Sequence, residues 1–555
     1  MIKKIFGKIK HKICKDTPAD LRAYYYKCLN EPVDEKAVLF ESFGGLGILD
    51  NPRAVFKEML KSEEYADFTY VWTVSNKKLA EDNIKEFSRL KNVKIVLRES
   101  KDYYKYLATA KYLFNNSAFS SYFVKRDEQI YTNTWHGIPT KYMGYEHTKE
   151  RVENARGIAR NAASADYLLG ANQFMIDRMY KKAYLTQEAF KGEYLNMGYP
   201  RLDAIHNTDR DYIMSKLSMY GLETKKKIVL YAPTWKGQLY NKLEYNLDEF
   251  KETIRVLKSQ VPDGYEVLLR VHYFIYKELS VDEEFAKILV PFTIDTNELL
   301  SVVDILISDY SSIFFDFLWT RKPVIFFVPD YKEYTTTRGL YVPMETLPGP
   351  IVETVEEASL VLKNTIESLD EFNEYYKDKY NRMIYWCSNK CESKGIEVLL
   401  SGSEDIEITD EMIEEIVSDV SASKRICDKV FKGEVKEEKY SKKHKLFYIN
   451  WKECKGRELE KLKKDVEETD LSVWDLTILT PVFTSRIPMV TFFNKMIPEG
   501  VRILTYAPVN IGRAKTEEES IKEVKANFGK ITFDEVKTYT NLPNVWKRKF
   551  FMNEQ

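Results

Sequence analysis

Cysteine and histidine are scarce in this chain of 555 residues, with six copies of each. Cys14, Cys28, Cys387, Cys391, Cys427 and Cys454 are too sparse for a disulfide scaffold, which points to reduced thiols and a cytoplasmic setting. Cys387 and Cys391 fit one helix face, but no second Cys/His pair stands nearby, so they read as packing residues and not a zinc site. No apolar run is long enough to span a bilayer, and no cleavable signal peptide is visible. Neither sign of charge dominates. The 84 Lys and Arg against 85 Asp and Glu leave a net charge of −1, which argues against a polyanion-coating role and against nucleic acid as a partner. What remains, 44% hydrophobic and 30% charged residues, describes a globular protein. Its length exceeds one hydrophobic core and suggests about three or four domains.

The most informative stretch runs from Asp304 to Tyr341, DILISDYSSIFFDFLWTRKPVIFFVPDYKEYTTTRGLY. Ile305–Ile307 predicts a buried strand, Ser308 to Ser312 a polar turn, Ile313 to Trp319 a helix, and Val324 to Val328 a second strand after Pro323. Strand, turn, helix and strand make a βαβ unit of a parallel sheet. Ser311 and Ser312 fall at the strand-to-helix turn, where free N–H groups and the positive helix end suit a phosphate. Simple helix capping uses the same groups, so both roles stay open.

From about residue 35 onward, strand-like and helix-like patterns alternate as in a doubly wound α/β protein. Strands are predicted at Ala37–Phe40, Thr69–Thr73, Val93–Leu97, Tyr112–Phe114, Ile130–Thr134, Tyr167–Leu169 and Tyr194–Met197. A second half repeats the pattern at Ile228–Tyr231, Glu266–Val271, Asp304–Ile307 and Val324–Val328. The divisions are 35–205 and 206–395, with an extension over 400–555. Residues 1–15, MIKKIFGKIKHKICK, stand apart. Ile2, Ile5, Phe6, Ile9 and Ile13 share one helical face, and six lysines with no acid fill the rest, the pattern of a helix lying on an anionic membrane surface.

Short motifs follow the predicted strands. TWHGIPTK sets His136 between Trp135 and Gly137, and Gly137 lets the backbone approach a ligand closely. His136 is the best candidate general base, although a buried, hydrogen-bonded histidine is the commoner role for such a residue. YAPTWKG offers Lys236, RVHYF offers Arg270 and His272 at alternate strand positions, and TTTRGLY offers Arg338. Together with Ser311 and Ser312 these form a cationic, hydroxyl-rich set suited to a pyrophosphate. His11, His147, His206 and His444 read as surface residues.

ESFGGLGILDNPRAVF, TWHGIPTKYMG, GYPRLD, LYAPTWKG, RVHY and the Asp304–Tyr341 stretch together resemble the CDP-glycerol glycerophosphotransferases of Gram-positive wall teichoic acid synthesis. The resemblance covers about Glu41 to Tyr341 and weakens toward residue 395. It implies an α/β protein of the GT-B type, two Rossmann-like domains facing a cleft, with the acceptor in the first and the CDP-polyol in the second. It implies a peripheral enzyme on the cytoplasmic face of the cell membrane. The implied reaction moves polyol phosphate from CDP-glycerol or CDP-ribitol to a hydroxyl of a lipid-linked acceptor and releases CMP. His136 carries over as catalytic base, His272 as a second essential residue near the pyrophosphate, and Ser311, Ser312 and Arg338 as donor-binding residues. Tyr273 departs from the proline of many members. No dedicated Asp/Glu cage is visible, so no protein-held metal or cofactor is expected, and Mg²⁺ carried in with the substrate is compatible with this.

Two other classes remain: a GT-B glycosyltransferase using a nucleotide sugar, and a non-catalytic membrane- or polymer-binding module, which would need neither His136 nor His272. Beyond residue 400 the resemblance stops. Glu404 to Asp419 is acidic and amphipathic, and Lys436 to Lys464 is lysine-rich with interleaved aromatics, read as a solvated helix face. Leu476–Leu479, Val490–Phe493 and Val501–Tyr506 predict strands of a small α+β module.

Overall fold

Near-continuous runs of β-branched and aromatic residues form central strands buried on both faces, as parallel sheets require, while the strand Val93–Leu97 leaves Lys94 and Leu97 exposed. In the computed structural model, which describes residues 16–147, 151–234, 247–400, 407–449, 456–481, 493–506 and 533–539, they assemble into three sheets. The membrane-helix candidate 1–15 and Lys236 lie outside the described residues.

The first sheet contains β1 (Asp34–Glu41), β2 (Thr69–Val74), β3 (Val93–Leu97), β4 (Ala110–Asn115), β5 (Ile130–Asn133), β6 (Tyr167–Gly170) and β7 (Glu193–Asn196), in the order β3-β2-β1-β4-β5-β6-β7. All its pairings are parallel. The second contains β8 (Lys227–Ala232), β9 (Tyr265–Leu269), β10 (Ile305–Ser308), β11 (Val324–Phe327) and β12 (Ile351–Val352), in the order β12-β11-β10-β8-β9, again parallel throughout. Strand order reverses between β1 and β4 in one sheet and between β8 and β10 in the other. At such points the outgoing loops diverge and leave a crevice at the carboxyl ends of the strands.

The C-terminal part is not an α+β module. β13 (Lys443–Ile449), β14 (Trp474–Pro481), β15 (Arg502–Tyr506) and β16 (Glu535–Tyr539) pair in parallel in the order β15-β14-β13-β16, with the helix Gly456–Glu467 between β13 and β14. This is a third α/β layer. Leu446, Phe447, Tyr448 and Ile449 are core residues of β13 and not part of a wet helix face, and His444 is buried rather than on the surface. Of Val490–Phe493, residues 490–492 lie outside the described residues and Phe493 begins a helical turn. Among the described residues no helix is long and apolar enough to cross a membrane.

The first two sheets are joined by buried charge. The Arg53 guanidinium, on the helix Asp50–Met59, donates to both Glu298 oxygens at 2.9 and 3.2 Å and to Glu86 at 2.8 Å. The Asp50 N–H donates to Asp295 at 2.7 Å. The helix Ala422–Lys432 returns to the first sheet, where Phe431 packs on Tyr65, Phe68, Tyr112 and Phe114.

Removing one partner of a buried pair strands the other charge, so Glu298→Gln is expected to cost about 3 kcal/mol of stability in urea denaturation at pH 7. Arg53 and Lys57 hold the Glu298 carboxyl down at about 2 against its burial, from an ordinary 4.5. A depressed carboxylate stabilises above its unfolded value and loses that contribution as pH falls through the folded one. The difference between wild type and variant should therefore shrink between pH 4.5 and 2. A variant as stable as wild type at pH 7 would contradict this role.

Candidate active site

On the first sheet, loops leaving β1, β4 and β5 converge on His136. Its Nδ1 lies 2.6 Å from the Asn116 carbonyl oxygen, just past β4. Trp135, held at φ 48°, stacks on the imidazole at 4.4 Å, and Phe43 meets it edge-on at 5.4 Å. The Phe43 N–H in turn donates to Asn116 Oδ1 at 2.8 Å. With Nδ1–H donating to a carbonyl, Nε2 is left as the basic nitrogen. Burial is the main cause of a pKa below 6.5, opposed by the Asn116 carbonyl and by Asp50 and reinforced by Arg201 and Lys141. His136 is thus neutral at pH 7 and competent as a base.

On the second sheet, the loops leaving β8 and β10 are tied by Asp309. Its carboxylate accepts from the Thr234 N–H at 2.7 Å, the Thr234 hydroxyl at 2.5 Å and the Ser311 N–H at 3.1 Å. Ser311 Oγ accepts weakly from Ile313 N–H at 3.4 Å. Ser312, at the start of the helix Ile313–Phe317, makes no side-chain capping bond. Capping thus accounts for Ser311 at most.

The two sides meet at Gly137, which has φ 151°. A Cβ there would stand 2.7 Å from Ser312 Oγ and 3.4 Å from an Arg201 nitrogen. What this glycine admits is therefore Ser312 from the other sheet. Further along the same loop, Thr140 Oγ1 donates to the Tyr310 carbonyl at 2.6 Å, Tyr341 N–H donates to the Thr140 carbonyl at 2.8 Å, and Lys141 bridges Leu340 antiparallel. Arg338 ends the helix Tyr331–Arg338, with Nη1 3.5 Å from His147 Nε2. His147 accordingly stands beside a candidate site residue.

Arg270 and His272 follow β9, which ends at Leu269, so they are not alternate strand positions. Arg270 donates to the carbonyls of Pro291 and Ile294 at 2.5 and 3.0 Å and to Thr296 Oγ1 at 3.2 Å, so it holds the 291–296 loop. Burial lowers its pKa to about 10. His272 occupies the N-cap position of the helix Tyr273–Leu279, beside the β8 exit in strand order, and burial lowers its pKa.

Sequence reasoning misses Arg201, although GYPRLD contains it. Its buried guanidinium donates to Asp50 at 2.9 Å, to the His136 carbonyl at 2.7 Å and to Asp316 at 3.1 Å. Asp316 lies on the helix that follows Ser312, so one side chain ties the base-bearing loop to the candidate phosphate turn. Asp309 and Lys141 are likewise hidden as single residues within longer motifs. Among the described residues no group of three or more His, Cys, Asp and Glu side chains is placed to hold a metal.

The family model for CDP-glycerol:poly(glycerophosphate) glycerophosphotransferases matches residues 23–394. The chain belongs to this family. It is therefore a transferase and not a binding module, and the matched region carries both of the first two sheets. A teichoic acid poly(glycerol phosphate) polymerase of Bacillus spizizenii is 31% identical over 388 residues, covering 66% of this chain and 93% of that protein. The Bacillus subtilis protein of the same name is 30% identical over 71% of this chain, and the chain spans about half, 52%, of its length. A Staphylococcus aureus teichoic acid glycerol-phosphate transferase is 26% identical over 63% of this chain and 89% of its own. Among solved structures, the wall teichoic acid polymerase TagF aligns with a TM-score of 0.57 at 25% identity, covering 78% of this chain and 97% of the other. A histidine variant of TagF soaked with CDPG gives 0.58 at 26% identity over 78% and 96%. This glycerophosphotransferase family member thus shares the parallel α/β fold of TagF.

Proposed function

We propose that this glycerophosphotransferase family member moves polyol phosphate, foremost glycerol phosphate, from a CDP-polyol to a hydroxyl of a lipid-linked or polymeric acceptor in teichoic acid synthesis. The observation that carries this reading is the approach of Gly137 to Ser312, which brings the loop that carries His136 up to a hydroxyl-bearing turn from the other sheet. A base on one side and an anion-binding turn on the other is the arrangement that phosphoryl transfer needs. The two sheets are read as the Rossmann-like domains of a GT-B transferase, with the acceptor on the 35–205 side and the donor on the 206–395 side.

The acceptor hydroxyl loses its proton to His136 Nε2 as its oxygen attacks the β-phosphorus. The bond from that phosphorus to the bridging oxygen breaks, and CMP leaves with the electron pair. Ser311, Ser312, Arg338 and His272 stabilise charge on the phosphates, Lys236 is the further candidate from the β8 loop, and Arg270 acts through the 291–296 loop it holds. Mg²⁺ brought in with the donor fits this scheme without a protein cage. The lysine-flanked apolar residues of 1–15 support a peripheral position on the cytoplasmic face of an anionic membrane.

His136→Ala should reduce CMP release from CDP-glycerol plus a lipid-linked glycerol phosphate acceptor by about 10²–10⁴-fold with donor affinity nearly unchanged. Because the base must be neutral and burial depresses its pKa, the wild-type rate should hold down to pH 6.5 and fall only below it. Near-normal turnover in the variant would exclude the role. Full-length protein should sediment with phosphatidylserine vesicles at low salt and a chain lacking residues 1–15 should not; equal sedimentation would remove the membrane from the proposal.

A further inference from the structure

The buried cations around the site are nearly all spent on partners. Arg53 is held by Glu298, Arg201 by Asp50 and Asp316, and Arg270 by backbone carbonyls. Lys141 differs. It is partly buried, yet among the described residues its ammonium makes no hydrogen bond and no ion pair. Its position is not slack. The residue bridges Leu340, the Tyr142 N–H donates to the Gly339 carbonyl at 3.3 Å, and Gly339 sits at φ 69° where a Cβ would stand 2.5 Å from the Tyr142 ring. Backbone contacts on both sides thus pin the lysine of the first sheet's loop to the segment that follows Arg338.

The charged neighbours define what is missing. Arg338 faces Lys141 with like charge, and His147 stands against Arg338. Asp309 offers the opposite charge, but its carboxylate is already shared among Thr234 and Ser311. Tyr334 presents a buried hydroxyl near Asp309 and Arg338, and His136, on the lysine's own loop, feels the lysine charge. Among the described residues the Lys141 ammonium thus has no anion of its own beside a carboxylate already in use, which leaves room for an anionic ligand. The same lysine lies within electrostatic reach of His136 and of Asp309 in the Ser311 turn, the place that the functional reading gives to the pyrophosphate.

Resting on the functional reading above, we propose that Lys141 is a donor ligand supplied by the acceptor-side loop. Its ammonium pairs with the β-phosphate of the CDP-polyol, and it binds a proton from solvent when the donor arrives. Burial first, then Arg338, brings the pKa of the empty site down to about 8, with Asp309 opposing. At pH 8 roughly half of the molecules therefore carry a neutral amine, and a dianion beside it restores the charge. Donor binding at that pH should take up a fraction of a proton per site.

Calorimetry on the full chain at pH 8, in two buffers of different ionisation enthalpy, reads this directly. Wild type should bind CDP-glycerol with that uptake and CMP, which lacks the β-phosphate, without it. Lys141→Met should bind CDP-glycerol about tenfold or more weakly, lose the uptake and bind CMP as wild type does. Lys141→Arg, always charged, should keep most of the affinity but not the uptake. A Lys141→Met protein that binds CDP-glycerol like wild type, or a Lys141→Arg protein that still takes up the proton, would overturn the assignment alone. A wild type that does not bind CDP-glycerol would overturn the functional reading and this inference with it.

Discussion

One buried guanidinium sets the geometry on which the rest depends. Arg201 follows the end of β7 and places its nitrogens on Asp50, on the His136 carbonyl and on Asp316. Asp50 belongs to the segment after β1, His136 to the loop after β5, and Asp316 to the helix after β10, so three chain segments from two sheets share a single cation. Asn297 donates to Asp316 Oδ2 at 3.2 Å, an oxygen that also lies 2.9 Å from the Arg201 guanidinium, and completes the set. Burying such charges contributes little net stability, because desolvation offsets most of the Coulombic gain. The return is geometric: planar donors fix directions that apolar packing leaves loose. Arg53 with Glu298, and the Asp50 N–H with Asp295, repeat the device on the flank of the same junction.

With the junction fixed, chemistry follows from where strand order reverses. Each sheet offers a crevice at its own reversal, His136 beside one and the Asp309–Ser312 turn beside the other. At Gly137 the loop that carries His136 comes up against Ser312 of that turn. Neither side suffices alone, since a base needs a phosphorus to aim at and a phosphate cradle needs an incoming nucleophile. Membership of the glycerophosphotransferase family names the chemistry for which this pairing is proposed.

Strands β1 to β11 are legible in the sequence, the central ones because parallel strands covered on both faces read as unbroken apolar runs and β3 through its β-branched residues although Lys94 and Leu97 are exposed. β12 is two residues long, too short to leave a period. β13 misleads for a different reason. Lys443 and Lys445 flank His444 at its start and suggest a wet surface, yet the His444 ring is buried, and the Lys445 ammonium reaches Glu535 and lies over the Trp474 ring. The βαβ unit at Ser311 and Ser312 is visible from the order of its residues. Arg201 and Lys141 are not, because their partners lie far away in sequence and no local pattern marks them. Asp309 is hidden in the same way, as one polar residue of a turn whose partner Thr234 follows a different strand.

The most direct test of this account is the effect of Arg201→Met on turnover and on donor affinity, measured separately. If Arg201 serves to hold His136 against the second sheet, the maximal rate of CMP release should fall about a hundredfold while the affinity for CDP-glycerol changes by less than about threefold. Arg201→Lys, in the same assay, should recover only part of the loss, because a point charge cannot serve three acceptors in one plane. A methionine variant that keeps the wild-type maximal rate, or loses rate and affinity in equal measure, would contradict the claim that this guanidinium aligns the two halves of the site.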